Sequence, residues 1–344
     1  MTQPRIFYLG ATGYVGGHAF NILAKNHPEC QIVALVRNDE QATKLKAAFP
    51  TVEAVLGDLD STDVLIREAS RANVIINAAS SDHSPGAEAL IQGLGQGRKG
   101  YLVHISGTGI LHDVSTGFGN ESAKIYRDTV DGDMAEIVSF DPSHPHGDTE
   151  NVIRTTAKAA AVPFAILCPP LIYGIGKGVF KTRSIQIPLL VEAAMKRGKA
   201  FQILEGQNIW DNVHIDDVAQ ALVLLAEEAL KGEASKAQWG EQGYYFAEAA
   251  EHRWGTIIAA LAGILFSKGR VSTPEVDKVS AEDASRLHPW GPLLWGGNCR
   301  SRAERIRKLG WEPRGPGIDS CLEEMVDKEI EAFGTGEKKL TFDK

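Results

Sequence analysis

The feature that most constrains the fold is a run of glycines near the N-terminus, in the stretch Leu9-Gly10-Ala11-Thr12-Gly13-Tyr14-Val15-Gly16-Gly17. The run follows a short apolar stretch, residues 6–9, which has the length and the aromatic and β-branched content of a buried strand. It is followed by apolar residues spaced as on one face of a helix, namely Val15, Ala19, Ile22 and Leu23. The glycines therefore lie where a strand turns into a helix.

The spacing of Gly10, Gly13 and Gly16 is typical of a turn that binds a dinucleotide. One glycine permits a tight turn, the next lets the backbone approach a pyrophosphate, and the last lets helix and strand pack closely. The helix N-terminus then offers free N–H groups to the phosphates. A glycine-rich turn without a ligand is the alternative. The predicted cofactor-binding residues of this turn are Gly10, Thr12, Gly13, Tyr14, Val15 and Gly16.

Further apolar runs alternate with helical patterns along the first half of the chain. The runs are residues 31–36, 52–56, 74–77, 101–105 and 164–168. This alternation predicts an α/β fold with a doubly wound parallel sheet of Rossmann type. Ligands of such sheets bind at the carboxyl ends of the strands, so the residues that follow each strand should converge on one crevice.

Arg37 follows the second strand, at the position whose side chain contacts the adenosine ribose in dinucleotide-binding folds. An acid at this position would bind the 2′-hydroxyl of NAD, whereas a guanidinium can pair with a 2′-phosphate. Lys44 adds a second positive charge, while Asp39 and Glu40 oppose it. We therefore predict NADP(H) rather than NAD(H), bound by Arg37, Asn38 and Lys44; a surface arginine at a strand end is the alternative.

Other strand ends complete the predicted cofactor site. Asp58, in Gly57-Asp58-Leu59, follows the third strand and is expected near the adenine amino group. Small residues after the fourth strand leave room for the ribose and the nicotinamide. The residues predicted from these turns are Asp58, Leu59, Ala78, Ala79, Ser80, Ser106 and Pro169.

The composition excludes several classes of function. The net charge of −8 argues against a nucleic-acid or membrane-surface role, because no basic field attracts phosphates. Four widely separated cysteines are typical of thiols in a reducing compartment. No targeting segment or membrane span is predicted, so we expect a cytoplasmic location. The expected partners are a small-molecule substrate and, as an open alternative, a second copy of the chain in a homodimer.

Less regular segments give weaker predictions. Residues 111–148 are predicted to form a long irregular excursion at the edge of the active site, and residues 267–297 to be rich in loops. Asp216 or Asp217 is expected to cap a helix with Val218, Leu222 and Leu225 on one face. Other helices are predicted over residues 149–161, 184–197, 254–266, 301–309 and 319–333.

Several stretches together resemble the extended branch of the short-chain dehydrogenase/reductase superfamily, the nucleoside-sugar epimerase/dehydratase-like proteins. They are residues 10–16, 57–59, 104–106, 169–174, 213–219 and 309–313. The resemblance implies a Rossmann domain, to which we assign residues 1–170 and 211–240. It also implies a smaller C-terminal α+β substrate lobe, to which we assign residues 171–210 and 241–333, before a flexible tail at 334–344. Residues 169–174 and the turn from His214 to Asp217 would border the substrate.

The chain departs from this family at the catalytic pair. Active members carry a serine and a Tyr-x-x-x-Lys pair, in which the lysine lowers the pKa of the tyrosine and holds the nicotinamide ribose. If Glu150 is the acid four residues beyond that lysine, the lysine position falls on His146 and the tyrosine position on Pro142. Pro142 cannot transfer a proton as the tyrosine does, and His146 cannot bind the ribose and lower the pKa of a tyrosine as the lysine does.

Three functions are compatible with these residues. In the first, another group moves the proton, and Tyr173, His144 and His146 are the nearest candidates, with Ser106 or Thr108 orienting a carbonyl. In the second, the protein binds NADP(H) as a redox sensor without turnover. In the third, it is a nucleotide-sugar epimerase or dehydratase, although no basic cluster stands out to hold a diphosphate.

We favour the first reading, an NADP(H)-dependent oxidoreductase acting on a small carbonyl or alcohol. Its candidate catalytic residues are Ser106, Tyr173, His146 and His144. No metal site is predicted, because nothing near His144, His146 and Asp148 fixes a third or fourth ligand.

Overall fold

A computed structural model of the protein describes residues 3–97, 100–142 and 144–335. Its strands are β1 (Arg5–Leu9), β2 (Gln31–Val36), β3 (Glu53–Leu56), β4 (Val74–Asn77), β5 (Tyr101–Ile105), β6 (Tyr126–Arg127), β7 (Phe164–Cys168), β8 (Leu171–Tyr173), β9 (Ala200–Ile203), β10 (Ile209–His214), β11 (Tyr244–Phe246), β12 (Ala250–Arg253), β13 (Val276–Val279) and β14 (Ser301–Arg302). Its α-helices are α1 (Tyr14–Asn26), α2 (Asp39–Ala48), α3 (Thr62–Ala69), α4 (Ser84–Gln96), α5 (Asp131–Val138), α6 (Gly147–Ala160), α7 (Gln186–Arg197), α8 (Ile215–Leu230), α9 (Trp254–Ser267), α10 (Ala281–Leu287), α11 (Gly291–Gly296), α12 (Glu304–Arg307) and α13 (Ile318–Thr335).

The largest sheet has seven strands in the order β11-β7-β5-β4-β1-β2-β3, and every pairing in it is parallel. Strand order reverses beside β1, which pairs with β2 on one side and β4 on the other. This is the topological switch point at which doubly wound sheets bind ligands. The predicted Rossmann-type α/β fold is confirmed.

Apart from the edge strand β3, whose end residues Glu53 and Leu56 are exposed, the strands of this sheet are mostly apolar and buried because helices cover its two faces. Every residue of β4 and of β7 is buried. Helix α1 packs against α8, while α4 packs against both α3 and α6. Burial on both faces removes the alternation expected of a half-exposed strand, so these strands could be recognised from hydrophobicity alone.

Three smaller sheets involve the later part of the chain. One has the order β12-β10-β8, and two parallel pairs are formed by β13 with β9 and by β14 with β6. The predicted domain division cuts across this arrangement. Strand β11, which we assigned to the substrate lobe, pairs with β7 of the large sheet, and β10, mostly in the predicted Rossmann segment, pairs with β8 and β12.

Two segments predicted to be irregular contain regular structure. Residues 111–148 include β6 and α5, and residues 267–297 include β13, α10 and α11. The start of α10 carries a capping box, in which the Ser280 and Asp283 side chains each accept a backbone N–H, and this signal was missed. The helix predicted over residues 301–309 is wrong in part, because β14 precedes the short α12.

The predicted cap of α8 is also wrong. His214 is the N-cap residue, and its Nδ1 accepts a hydrogen bond of 3.2 Å from the backbone N–H of Asp216. Asp216 and Asp217 instead lie in the first turn of the helix, where the positive end of the helix dipole stabilises carboxylates. At the C-terminus, Gly334 and Thr335 belong to α13, and the rest of the predicted tail lies outside the described residues.

Buried His104 makes the stability of the fold sensitive to acid. The side chain is inaccessible to solvent on β5, its Nδ1 accepts a hydrogen bond of 3.0 Å from the Asn77 amide, and burial lowers its pKa to about 4. Below the unfolded pKa of 6.5, the unfolded chain binds a proton that the native chain does not. This contribution to stability is therefore lost as the pH falls from 6.5 towards 4.

We predict that His104→Gln flattens this acid dependence. Between pH 6.5 and 4.5, the free energy of unfolding in urea should fall less steeply than in the wild type, by up to about 1.4 kcal/mol per pH unit. Above pH 7.5, where histidine is neutral in both states, the two slopes should coincide and serve as the internal control. Parallel curves over the acid range would contradict the prediction.

Candidate functional site

The turn between β1 and α1 packs too closely on its neighbours to hold side chains at two positions. Gly10 has φ +92°, and a Cβ placed on it would lie 2.2 Å from the carbonyl oxygen of Ala78. A Cβ on Gly16 would lie 2.3 Å from the carbonyl oxygen of Gly10. The hydroxyl of Tyr8 also donates a hydrogen bond of 2.7 Å to the Gly16 carbonyl, which joins strand and helix. These two glycines are therefore required by the packing of the turn itself.

Gly13 has a different environment, which fits a bound phosphate. It is the N-cap residue of α1, and the nearest atom to a Cβ placed on it is the Gly10 carbonyl oxygen at 3.2 Å. No side chain in the described part of the protein caps this helix, and its first turn carries no acidic residue. The N–H groups of that turn remain available to an anion, with the positive end of the helix dipole behind them.

Tyr14 and Val15 in the glycine turn pack against the core. Tyr14 donates from its hydroxyl to the Gly174 carbonyl oxygen at 2.7 Å, and Val15 packs against the core. Tyr14 therefore ties α1 to the segment that follows β8. The roles of Tyr14, Thr12 and Val15 in cofactor binding stay predictions.

The ends of β2 and β3 present exposed polar side chains. Arg37 is exposed, and its backbone N–H donates a hydrogen bond of 2.9 Å to the side-chain oxygen of Gln41. Asn38 caps α2 by accepting the Gln41 N–H, so its amide oxygen is already engaged. Asp58 is exposed and accepts from the Ser61 hydroxyl at 2.7 Å, which holds the pKa of Asp58 below its usual range. Lys44 lies exposed on α2.

The segment after β4 forms the wall opposite the glycine turn. Ala78 faces Gly10, the N–H of Ala79 approaches the Asn77 side chain at 3.4 Å, and the Ser80 hydroxyl accepts the N–H of Asp82 at 3.2 Å.

Leu59 and Pro169 are less accessible. Leu59 packs partly buried against the core, and Pro169 is buried, with its carbonyl accepting the N–H of Thr108 at 3.0 Å. Both predicted cofactor residues thus have clear packing roles at this edge of the sheet.

Ser106 belongs to a buried hydrogen-bond network after β5. Its hydroxyl donates a hydrogen bond of 2.5 Å to the carboxylate of Glu150, a residue with no solvent exposure. The same carboxylate accepts from Arg154 at 3.1 Å and from the Tyr244 hydroxyl at 3.2 Å. Because the Ser106 proton is committed to Glu150, the Ser106 oxygen has only lone pairs left to offer.

His146 is paired with a carboxylate that the sequence did not suggest. It precedes α6 in the left-handed conformation, with φ 68°, and its Nδ1 lies 2.7 Å from Oδ1 of Asp82. A carboxylate can only accept, so Nδ1 carries the proton and Nε2 presents a lone pair when the ring is neutral. Burial raises the pKa of Asp82, but the hydrogen bond and electrostatic attraction of His146, with a hydrogen bond from Ser81, together outweigh burial and hold the pKa below its usual value.

Nε2 of His146 faces the turn that follows Ser106. It lies 2.9 Å from the place that a Cβ on Gly107 would occupy and 3.2 Å from that of Gly109. The structure therefore brings Ser106 and His146 to the same turn at the carboxyl end of β5.

The other two candidate catalytic residues are engaged elsewhere. His144 donates from Nδ1 to the Ile110 carbonyl at 3.2 Å, and its ring stacks on Phe140 with a centroid distance of 4.6 Å. The Tyr173 hydroxyl donates 2.8 Å to the Pro316 carbonyl, and burial raises the pKa of Tyr173. The Thr108 hydroxyl is buried without a hydrogen-bond partner in the described part of the chain.

One group of potential metal ligands lies at the end of α1. Donor atoms of His27, Glu29 and Cys30 lie within 4.8 Å of one another. Ion pairs of His27 with Glu29 at 2.8 Å and with Glu227 at 3.0 Å account for this cluster. The absence of a metal stays a prediction.

Comparison with known proteins identifies the family to which this chain belongs. Residues 10–171 match a family described as NAD(P)H-binding, and residues 125–237 match the NAD dependent epimerase/dehydratase family. The chain is 33% identical over 345 residues to a protein named oxidase ucsJ from an Acremonium species, covering 96% of this chain and 99% of that protein. The chain belongs to the extended short-chain dehydrogenase/reductase family. The resemblance inferred from the motifs is confirmed, and so is a nicotinamide cofactor.

Solved structures of this family share the fold at low sequence identity. DesIV, a dTDP-glucose 4,6-dehydratase from Streptomyces venezuelae with NAD bound, has a TM-score of 0.67 and 18% identity, covering 96% of this chain and 98% of that one. A UDP-glucose 4-epimerase from Thermotoga maritima has a TM-score of 0.62 and 16% identity, covering 96% and 99%. Among the helices that the structure describes, none is long and apolar enough to span a membrane.

The two kinds of glycine in the turn should respond differently to an added methyl group. Gly13→Ala places a methyl group beside the free N–H groups of α1, so we expect NADPH affinity to fall about tenfold or more. Its melting temperature should fall less than that of Gly16→Ala, because the nearest contact of the added methyl group is 3.2 Å rather than 2.3 Å. The control Gly16→Ala should lower the melting temperature, because its methyl group meets backbone at 2.3 Å. Isothermal calorimetry and thermal unfolding measure both effects, and unchanged binding by Gly13→Ala would contradict the phosphate site.

Proposed function

We propose that the protein is an NADP(H)-dependent oxidoreductase that interconverts a small alcohol and its carbonyl, with His146 moving the proton. The observation that carries this proposal is the hydrogen bond of 2.7 Å between His146 and Asp82, beside the turn that follows Ser106. His146 falls at the position of the family's lysine in the register set by Glu150. In this proposal, the pair of His146 and Asp82 would do the proton transfer that the Tyr-x-x-x-Lys pair does in the family.

The cofactor-binding half of the proposal depends on the β1–α1 turn and on Arg37. The free N–H groups that follow Gly13 would hold the pyrophosphate. Arg37 is exposed at the end of β2 and forms no ion pair with any described carboxylate, so its guanidinium is available to a 2′-phosphate. When bound, the nicotinamide ring donates or accepts the hydride.

His146 would act as the general base in alcohol oxidation and as the general acid in carbonyl reduction. In its neutral form Nε2 is the unprotonated nitrogen, because Nδ1 donates to Asp82. The substrate hydroxyl gives its proton to Nε2 as its carbon loses hydride, and the Asp82 carboxylate stabilises the imidazolium that forms. The reverse reaction returns the same proton to the carbonyl oxygen.

Ser106 would orient the reacting oxygen. Because the single proton of the substrate hydroxyl goes to Nε2 of His146, Ser106 would turn its own hydroxyl from Glu150 and donate that proton in a hydrogen bond to the substrate oxygen. In this role Ser106 touches the substrate, while Glu150 is a positioning residue that acts through it.

The cytoplasmic location and the homodimer stay predictions.

A second candidate function is favoured by the same departure from the family motif. Pro142 stands where the proton-transferring tyrosine would be, and the Ser106 proton is already bonded. A protein that only senses NADP(H) needs neither group. The structural neighbours named as nucleotide-sugar enzymes give a third possibility to test, so a substrate screen must include nucleoside diphosphate sugars as well as aldehydes, ketones and quinones.

We predict that His146→Gln lowers turnover of the best substrate from that screen at least about a hundredfold. NADPH affinity, measured by calorimetry, should stay within a few-fold of the wild type. The control His144→Gln removes a nearby histidine that is bonded to a backbone carbonyl, and it should keep turnover within a few-fold.

Three results would decide against this assignment. Full activity in His146→Gln would exclude its role in proton transfer. Wild-type protein that binds NADPH but turns over no compound in the screen would favour the sensor. Conversion of a nucleotide sugar without net oxidation of NADPH would favour an epimerase or dehydratase.

A further inference from the structure

The loop that follows β8 lies across the first turns of α1. We name residues 174–182 the crossover loop. The loop is closed by a hydrogen bond of 2.8 Å that the N–H of Gly176 donates to the Thr182 carbonyl. Within it, the N–H of Lys177 donates 3.0 Å to Nδ1 of His18. Gly178 is close enough to α1 that a Cβ on it would lie 3.1 Å from the Gly17 carbonyl carbon.

The far end of the crossover loop reaches α2. Phe180 is partly buried and packs against the core, and the Nζ of Lys44 lies 4.9 Å from the centre of its ring. Helix α2 begins at Asp39, immediately after Arg37 and its neighbour Asn38. One loop therefore contacts both the helix whose N-terminus faces the phosphates and the helix that starts at the 2′ end of the adenosine.

The contact with Phe180 restricts Lys44 without neutralising it. A free lysine side chain loses rotamer entropy when it binds a ligand, and an aromatic face beneath the ammonium reduces that loss. No carboxylate in the described part of the chain forms an ion pair with Lys44. The charge is thus held in place and remains available to an anion.

We propose that Phe180 is part of the cofactor site, where it positions Lys44 to contact the 2′-phosphate of NADP(H) together with Arg37. This inference rests on the proposed preference for NADP(H). Phe180 is a positioning residue in this arrangement, because it acts through Lys44. Cofactor selectivity, set at β2 and α2, would then depend on the crossover loop, which belongs to the segment assigned to the substrate lobe.

Calorimetric affinities for NADPH and NADH test the proposal in wild type, Arg37→Ala, Lys44→Ala, Phe180→Leu and the double variant of Lys44 and Phe180. Arg37→Ala should remove most of the NADPH preference, and Lys44→Ala should weaken NADPH binding about tenfold. Phe180→Leu keeps an apolar side chain and should weaken NADPH binding about threefold to fivefold. NADH affinity should change less than about twofold in each variant.

The double variant should bind NADPH no more weakly than Lys44→Ala alone, because Phe180 acts through Lys44. Phe266→Leu, at an exposed phenylalanine on α9, is the matched control and should bind both cofactors as the wild type does.

The outcomes separate this inference from the proposed function. Equal wild-type affinities for NADPH and NADH would overturn the NADP(H) assignment and the role of Lys44 with it. A wild-type preference that Arg37→Ala removes and Phe180→Leu leaves intact would overturn the role of Phe180 alone. Equal weakening of both cofactors by Phe180→Leu would assign the loop to general packing and also overturn it, as would additive effects in the double variant.

Discussion

The rest of the site depends on the contact between the β1–α1 turn and the end of β4. Gly10 lies against the carbonyl of Ala78, and Gly16 lies against Gly10, with no space for a Cβ at either glycine. This contact holds the N-terminus of α1 over the carboxyl edge of the central strands, at the switch point of the sheet. Because α1 is fixed there, a phosphate bound at Gly13 defines where the two ends of a dinucleotide can lie.

Two carboxylates hold the protons of His146 and Ser106, the residues proposed to lie beside the nicotinamide. Asp82 takes the Nδ1 proton of His146, and Glu150 takes the hydroxyl proton of Ser106. Each bond leaves an acceptor free, a nitrogen on one group and an oxygen on the other. The free nitrogen suits a substrate hydroxyl that donates a hydrogen bond to it and then gives up its proton, which is the chemistry proposed for this protein.

The sequence predicts the strands of the large sheet, but it does not indicate contacts between residues that are far apart in the chain. Strands β2, β4, β5 and β7 have the predicted bounds because strands buried on both faces are continuous apolar runs. The two-residue strands β6 and β14 carry no such pattern and are defined by pairing with each other. The partners of His146 and Ser106 lie 64 and 44 residues away, so no local motif indicates them.

A crystal structure of the protein with bound NADP⁺ would show the proposed cofactor geometry in one measurement. We expect the pyrophosphate to accept hydrogen bonds from N–H groups of α1 just after Gly13. We expect the 2′-phosphate within about 4 Å of the Arg37 guanidinium and the nicotinamide ring beside Ser106, facing Nε2 of His146. A dinucleotide bound away from the Gly10–Gly16 turn, or a nicotinamide ring turned away from His146, would overturn the proposed site.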